Sequence, residues 1–133
     1  MSMVPYVLLP SVGSFIIHVS SLATHTRDMV ESDVVSLMVT AIPNLKIMPQ
    51  SLARATFQCR AQPCVEGGPH HESAKRHYLW RFPESEQMFS FGDFGLFELV
   101  PRYMRFVGGF AQAATIMASE LEGILAQGPA KTA

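Results

Sequence analysis

The step Ser20-Ser21-Leu22-Ala23-Thr24-His25-Thr26-Arg27 gathers four hydroxyl side chains and a histidine just ahead of Arg27, the first charged side chain of the chain. A phosphate group suits such a step. N–H groups at a helix start are unpaired and point outward, hydroxyls donate to phosphate oxygens, and a guanidinium offers a planar fork for two oxygens at once. The same residues also read as an ordinary helix start followed by a solvated arginine. A second string with ligand chemistry is Cys59-x4-Cys64-x5-His70-His71. The separation of Cys59 and Cys64 is odd, so an uninterrupted strand sends them to opposite faces, and only Pro63 could break that strand; no metal site is expected.

The remaining reactive side chains are less suggestive. His18 sits in an apolar run and reads as a satisfied core or interface histidine. Asp93 and Glu98 are the only acids between Phe91 and Val107, and neither has a His or Cys at a catalytic spacing, so no nucleophile and base pair emerges. Gly108-Gly109-Phe110 reads as a turn. The eight methionines read as core filler rather than as a binding groove.

The elements that must position these residues follow from periodicity. Met3 to Leu9 and Ser14 to Ser20 are short apolar runs around Pro10-Ser11-Val12-Gly13, the signature of a β-hairpin whose strands are covered on both faces, or on one face by a second subunit. Thr24 to Ser32 predicts a short helix with Thr24 as N-cap, Val34 to Thr40 a strand, and Leu52 to Ala61 a half-exposed strand with Ala53, Ala55, Phe57 and Cys59 inward. Glu72 to Phe82 predicts a helix stopped by Pro83. Phe94 to Val100 and Arg102 to Val107 predict two strands around Pro101, and Ala114 to Ala126 a helix with Met117, Leu121, Ile124 and Leu125 on one face. About six strands with two or three short helices points to a mainly β, α+β fold, a small antiparallel barrel with helical decoration.

Composition narrows the class. At 133 residues, one domain over 1–127 with a flexible tail over 128–133 is expected, and 48% hydrophobic residues exclude disorder. Only 16% of residues are charged, against roughly 25% in an average protein, so part of the surface is expected to meet another subunit. A formal charge of −1 is too balanced for binding nucleic acid or anionic lipid. Pro5, Pro10, Gly13 and His18 interrupt the uncharged start, so no anchor or signal is expected. Two cysteines without an export signal suit free thiols in a reducing cytoplasm.

The motifs SSLATHTRDMVESDVVSLMV, SLARATFQCRAQP and YLWRFPESEQMFSFGDFGLFELVPRYMRFVGGFAQA occur in that order. Together they resemble the pyridoxamine 5′-phosphate oxidase-like FMN-binding split barrels, closest to the haem-utilisation branch, over about Ser2 to Ala113. The resemblance implies a homodimer with FMN at the subunit interface. Ser21 and Arg27 would hold the FMN phosphate, with His25 and Thr26 between them. Met3, Val4, Pro5 and Tyr6 would meet the flavin ring through their backbone, and Arg54 and Thr56 would lie on the strand beside it.

Four departures qualify the resemblance. Ala55 stands where the true oxidases carry a Gln that touches the cofactor, and their C-terminal substrate-binding run is missing, so oxidation of pyridoxine phosphate is not expected. Relatives carry a helix and a first barrel strand ahead of the segment that begins here at Ser2, so an N-terminal strand is expected to be missing. The C-terminal haem-ligating His of the haem-utilisation branch has no counterpart, since the last histidine is His77; His70, His71 or a partner's side chain would have to serve. The implied function is an FMN-dependent oxidoreductase passing electrons to a small-molecule acceptor or linked to haem utilisation. The alternative is a non-catalytic haem- or flavin-binding dimeric module.

Overall fold

The computed structural model describes residues 1–9, 13–43, 45–109 and 112–126. Six antiparallel strands form one sheet: β1 (Val7–Leu9), β2 (Ser14–Ser20), β3 (Val34–Thr40), β4 (Arg54–Pro63), β5 (Phe94–Gly109) and β6 (Gln112–Met117). The order is β1-β2-β5-β4-β3, with β6 also on β5. Among the described residues three α-helices decorate it, α1 (Thr24–Glu31), α2 (Pro69–Arg81) and α3 (Ala118–Ala126), with 3-10 turns at Pro49–Ser51 and Pro83–Ser90. This is the α+β architecture expected of a split barrel.

Around β2 and the first half of β5 the sheet is covered on both sides, and strand alternation divides the burial. Phe15, Ile17 and Val19 of β2 join Phe57 and Cys59 of β4, Phe97 and Leu99 of β5, Met29 of α1 and Leu121 of α3 in the inner core. On the opposite face, Val7, Leu9, Ile16 and Leu96 pack beneath Ala74 and Tyr78 of α2. That is why β2 is apolar at both parities: it is sandwiched within a single chain. The hairpin is present, with Leu9 opposite Ser14. Gly13 closes it at φ 66°, a left-handed conformation suited to glycine; residues 10–12 of the expected turn lie outside the described residues. Ladder pairing begins only at Val7, so Met3 to Tyr6 are not part of the strand.

The expected strand pair around Pro101 is a single 16-residue strand. Proline is tolerated there for two reasons. The β4–β5 register shifts between Gln58 and Cys59, which face Tyr103 and Pro101, so a bulge coincides with the proline. On the other side of β5, β2 pairing ends at Leu99 and β6 pairing begins at Tyr103. No ladder partner is therefore lost at Pro101.

The expected helix over Ala114 to Ala126 is also corrected. Residues 112–117 pair with the free side of β5, Ala113 opposite Val107 and Met117 opposite Tyr103. An open strand edge outweighs the helix preference of alanine. Helix starts at Ala118, with Leu121 buried but Met117 and Ile124 exposed; the Leu125 side chain, Phe110 and the tail over 128–133 lie outside the described residues. Thr24 is not the N-cap: Ala23 holds that position without a side-chain cap bond. Helix α2 starts three residues earlier than expected, with Pro69 at its first position. No helix among the described residues is long and apolar enough to cross a membrane.

Candidate functional site

The end of β2 turns into α1 through a polar clasp. Ser20 Oγ donates to Asp93 Oδ2 at 2.8 Å and accepts from the Leu22 N–H at 3.2 Å, while the Ser21 N–H donates to the Asp93 carbonyl at 2.6 Å. Nothing near Ser20 in sequence announces Asp93, which lies 73 residues away. The clasp brings Ser21, His25, Thr26 and Arg27 into one turn. Ser21 and Arg27 are exposed, and Arg27 Nη2 donates to the Leu22 carbonyl at 3.2 Å. Thr26 is buried with its Oγ1 lacking a hydrogen-bond partner, and Nε2 of half-buried His25 is likewise unpartnered. Unpaired buried polar atoms are costly, which marks this turn as unusual.

Beside it lies a cavity of about 360 Å³ between the N-terminal segment, α1 and β3, walled by Val4, Ile17, His25, Met29, Val35 and Leu37 among others. Of the residues expected to contact a flavin, Val4 and His25 line this cavity and the others do not. Pro5 is exposed. The Tyr6 carbonyl accepts from Arg81 Nη1 at 2.7 Å, and the same guanidinium lies 4.9 Å from the Tyr6 ring centroid. Arg54 Nη1 donates to the Leu52 and Gln50 carbonyls at 3.3 and 3.4 Å, and Thr56 stands on β4 opposite Met38 and Arg105.

A second cavity, of about 230 Å³, opens on the α2 side and is lined by His18, Cys64, His71, Lys75, Phe89 and Phe94 among others. His18 stacks on Phe89 with ring centroids 3.9 Å apart and meets Tyr78 edge-on at 5.5 Å. It is a core histidine, but not a fully satisfied one, because its Nδ1 has no partner. Burial, reinforced by the His71 and Lys75 charges, lowers its pKa to about 4. Both cysteines are free, and burial pushes the thiols up to about 12 for Cys59 and about 11 for Cys64, the latter aided by Glu98. Glu98, with no His or Cys near it in sequence, contacts His70 and accepts from Ser14 Oγ at 2.7 Å.

No protein-family model matches the chain, and no curated protein sequence matches it. Solved structures do match in fold. A haem-binding protein from Mycobacterium smegmatis superposes with a TM-score of 0.81 at 24% identity, over 92% of this chain and 48% of that one. Campylobacter jejuni ChuZ gives 0.74 at 19% identity, over 90% of this chain and 49% of its own. HutZ, the haem storage protein of Vibrio cholerae, gives 0.65 at 23% identity, over 75% of this chain and 70% of its own. The chain thus spans about half the length of the first two of these structures.

Proposed function

We propose that this chain is a haem-binding module of split-barrel fold that works as a homodimer. The observation that carries this reading is the agreement in fold, across 92% of the chain, with a haem-binding protein. The cavity beside α1 supplies a place. A haem needs an apolar slot and an axial ligand, and here Val4, Ile17, Met29, Val35 and Leu37 line the cavity together with Asp28 and His25, whose buried Nε2 has no protein partner to give up and would reach an iron by a turn of the ring. At about 360 Å³ the slot is at the small end of ligand cavities, roughly 300 to 1,000 Å³, so a macrocycle needs a second wall. Val34, on the cavity wall, is exposed, as are Leu22 and Val30 of the α1 region and Met38 of β3. A partner subunit laid on that apolar rim would provide the wall.

Titration of the purified chain with ferric haem is expected to give a shifted Soret band saturating at one haem per chain. His25→Ala should weaken binding by about tenfold or more, equivalent to at least about 1.4 kcal/mol, and alter the ferric spin state. An unshifted Soret band in the native protein would remove haem as the ligand. An unchanged affinity and spectrum in the variant would remove His25 alone.

A second reading, an FMN-dependent oxidoreductase serving a small-molecule acceptor, draws on the unpartnered Thr26 Oγ1 beside Ser21 and Arg27 at the start of α1. A phosphate there would meet the exposed Ser21 hydroxyl and draw the exposed Arg27 guanidinium from its carbonyl, and would reach the buried Thr26 hydroxyl only if the turn opened. On this reading, the protein purifies yellow and releases FMN on denaturation, and Arg27→Ala weakens FMN binding by about tenfold, the loss of one charge-assisted hydrogen bond. Colourless protein with no flavin affinity would discard it.

A further inference from the structure

On the α2 face of the sheet, away from the His25 cavity, three side chains from distant parts of the chain converge. Cys64 follows β4 directly, its backbone fixed by an N–H bond to the Leu96 carbonyl at 2.8 Å. The turn through Gly67, at φ 86°, then reverses the chain so that His70, in the first turn of α2, comes back toward it. Glu98 arrives from the central strand β5 and is buried at 8% exposure. The Cys64 thiol, a His70 ring nitrogen and a Glu98 carboxylate oxygen all lie within 4.8 Å of one another.

We propose that Cys64, His70 and Glu98 bind a divalent transition-metal ion of the zinc type. The donor set is sulfur, imidazole nitrogen and carboxylate oxygen, all common ligands of that ion. Tetrahedral bonds of ordinary length put such donors about 3.3 to 3.5 Å apart, so His70, on its exposed side chain, must swing away from Glu98 while Cys64 draws in. Charge also balances, because one thiolate and one carboxylate carry two negative charges and His70 binds as neutral imidazole. A doubly positive ion therefore leaves the buried layer neutral, which neither the thiolate nor the carboxylate achieves alone. Binding releases the Cys64 thiol proton to solvent as the metal–sulfur bond forms. Ser14 Oγ donates to Glu98 Oε1 and fixes the carboxylate, whose Oε2 faces the His70 Nε2 that it now contacts; the ion would take the place of that contact.

The site is not the string read from sequence. Cys59 is fully buried in the inner core, on the other face of the sheet, and His71 is not one of the three residues whose donor atoms converge. This separation supplies the controls. The full chain, stripped with chelator, is titrated with Co²⁺ alone and then with Zn²⁺. One equivalent of Co²⁺ should produce tetrahedral visible bands and a near-ultraviolet thiolate-to-metal charge-transfer band, both bleached by Zn²⁺. Cys64→Ser should abolish the charge-transfer band, and His70→Ala, at a half-exposed position, should weaken Co²⁺ binding by about 100-fold. Cys59→Ala and His71→Ala should leave both signals intact. Absence of the bands in the native chain overturns the proposal, as does a charge-transfer band that survives Cys64→Ser or is lost in Cys59→Ala. None of these readouts depends on haem or FMN.

Discussion

Ile16→Ala is expected to destabilise the protein by about 3 kcal/mol, within the range of roughly 2 to 5 seen when a large buried aliphatic side chain is truncated. Ile16 has no exposed surface and stands in the middle of β2, facing α2. It joins Val7, Leu9 and Leu96 of the sheet to Ala74 and Tyr78 of the helix. Removing it leaves a cavity that neighbours on three strands cannot collapse into without breaking ladder register. In a chain of this size that loss lowers the melting temperature by about 12 °C. Urea denaturation of native and variant protein measures it, with Ile16→Val as a milder comparison at about 1 kcal/mol. A loss below about 1 kcal/mol for Ile16→Ala would mean that α2 is not docked on the sheet in solution.

Acidification is expected to destabilise the fold through His18 by about 2 kcal/mol, most of it between pH 6.5 and pH 4. Its ring is packed between Phe89, Tyr78 and Phe94, with His71 and Lys75 of α2 adding positive charge nearby. In the unfolded chain an imidazole takes a proton near pH 6.5, whereas in the fold it resists until about pH 4. The unfolded state therefore binds more protons across this window, so stability is full above pH 6.5 and falls as pH drops toward 4. The limiting slope is about 1.4 kcal/mol per pH unit; other groups contribute their own slopes. Stability measured in urea at pH 7 and pH 4.5 for native protein and for His18→Phe isolates the His18 share. Parallel pH profiles for the two proteins would show that His18 is not held neutral.

Much of the architecture was legible because local pattern and tertiary demand agree. The β1–β2 hairpin, the alternation of Phe57, Cys59 and Ala61 on β4, and helices at α1 and α2 follow from period and turn residues. The candidate site was legible only in part. Ser21, His25, Thr26 and Arg27 fall within one turn because they are neighbours in the chain, but Asp93, which clasps that turn, does not. Arg54 and Thr56 share a strand but do not line the cavity that Val4 and His25 share. A strand pattern tells which residues share a face, not which face meets a given cavity.

By itself the sequence determined the element types over most of the chain, the apolar character of β2 and the polar step that opens α1, since each depends on residues within a few positions of one another. Only the tertiary structure decided that 112–117 joins the sheet instead of the last helix, because the free edge of β5 is created by strands far away in sequence. It likewise decided that Pro101 could sit within one continuous strand, since the gap between the β2 and β6 ladders exists only once the sheet is assembled. The meeting of Cys64 and His70 with Glu98, rather than with Cys59 and His71, has the same origin: chain reversal at Gly67 and strand pairing across β5 are long-range constraints that spacing alone does not encode.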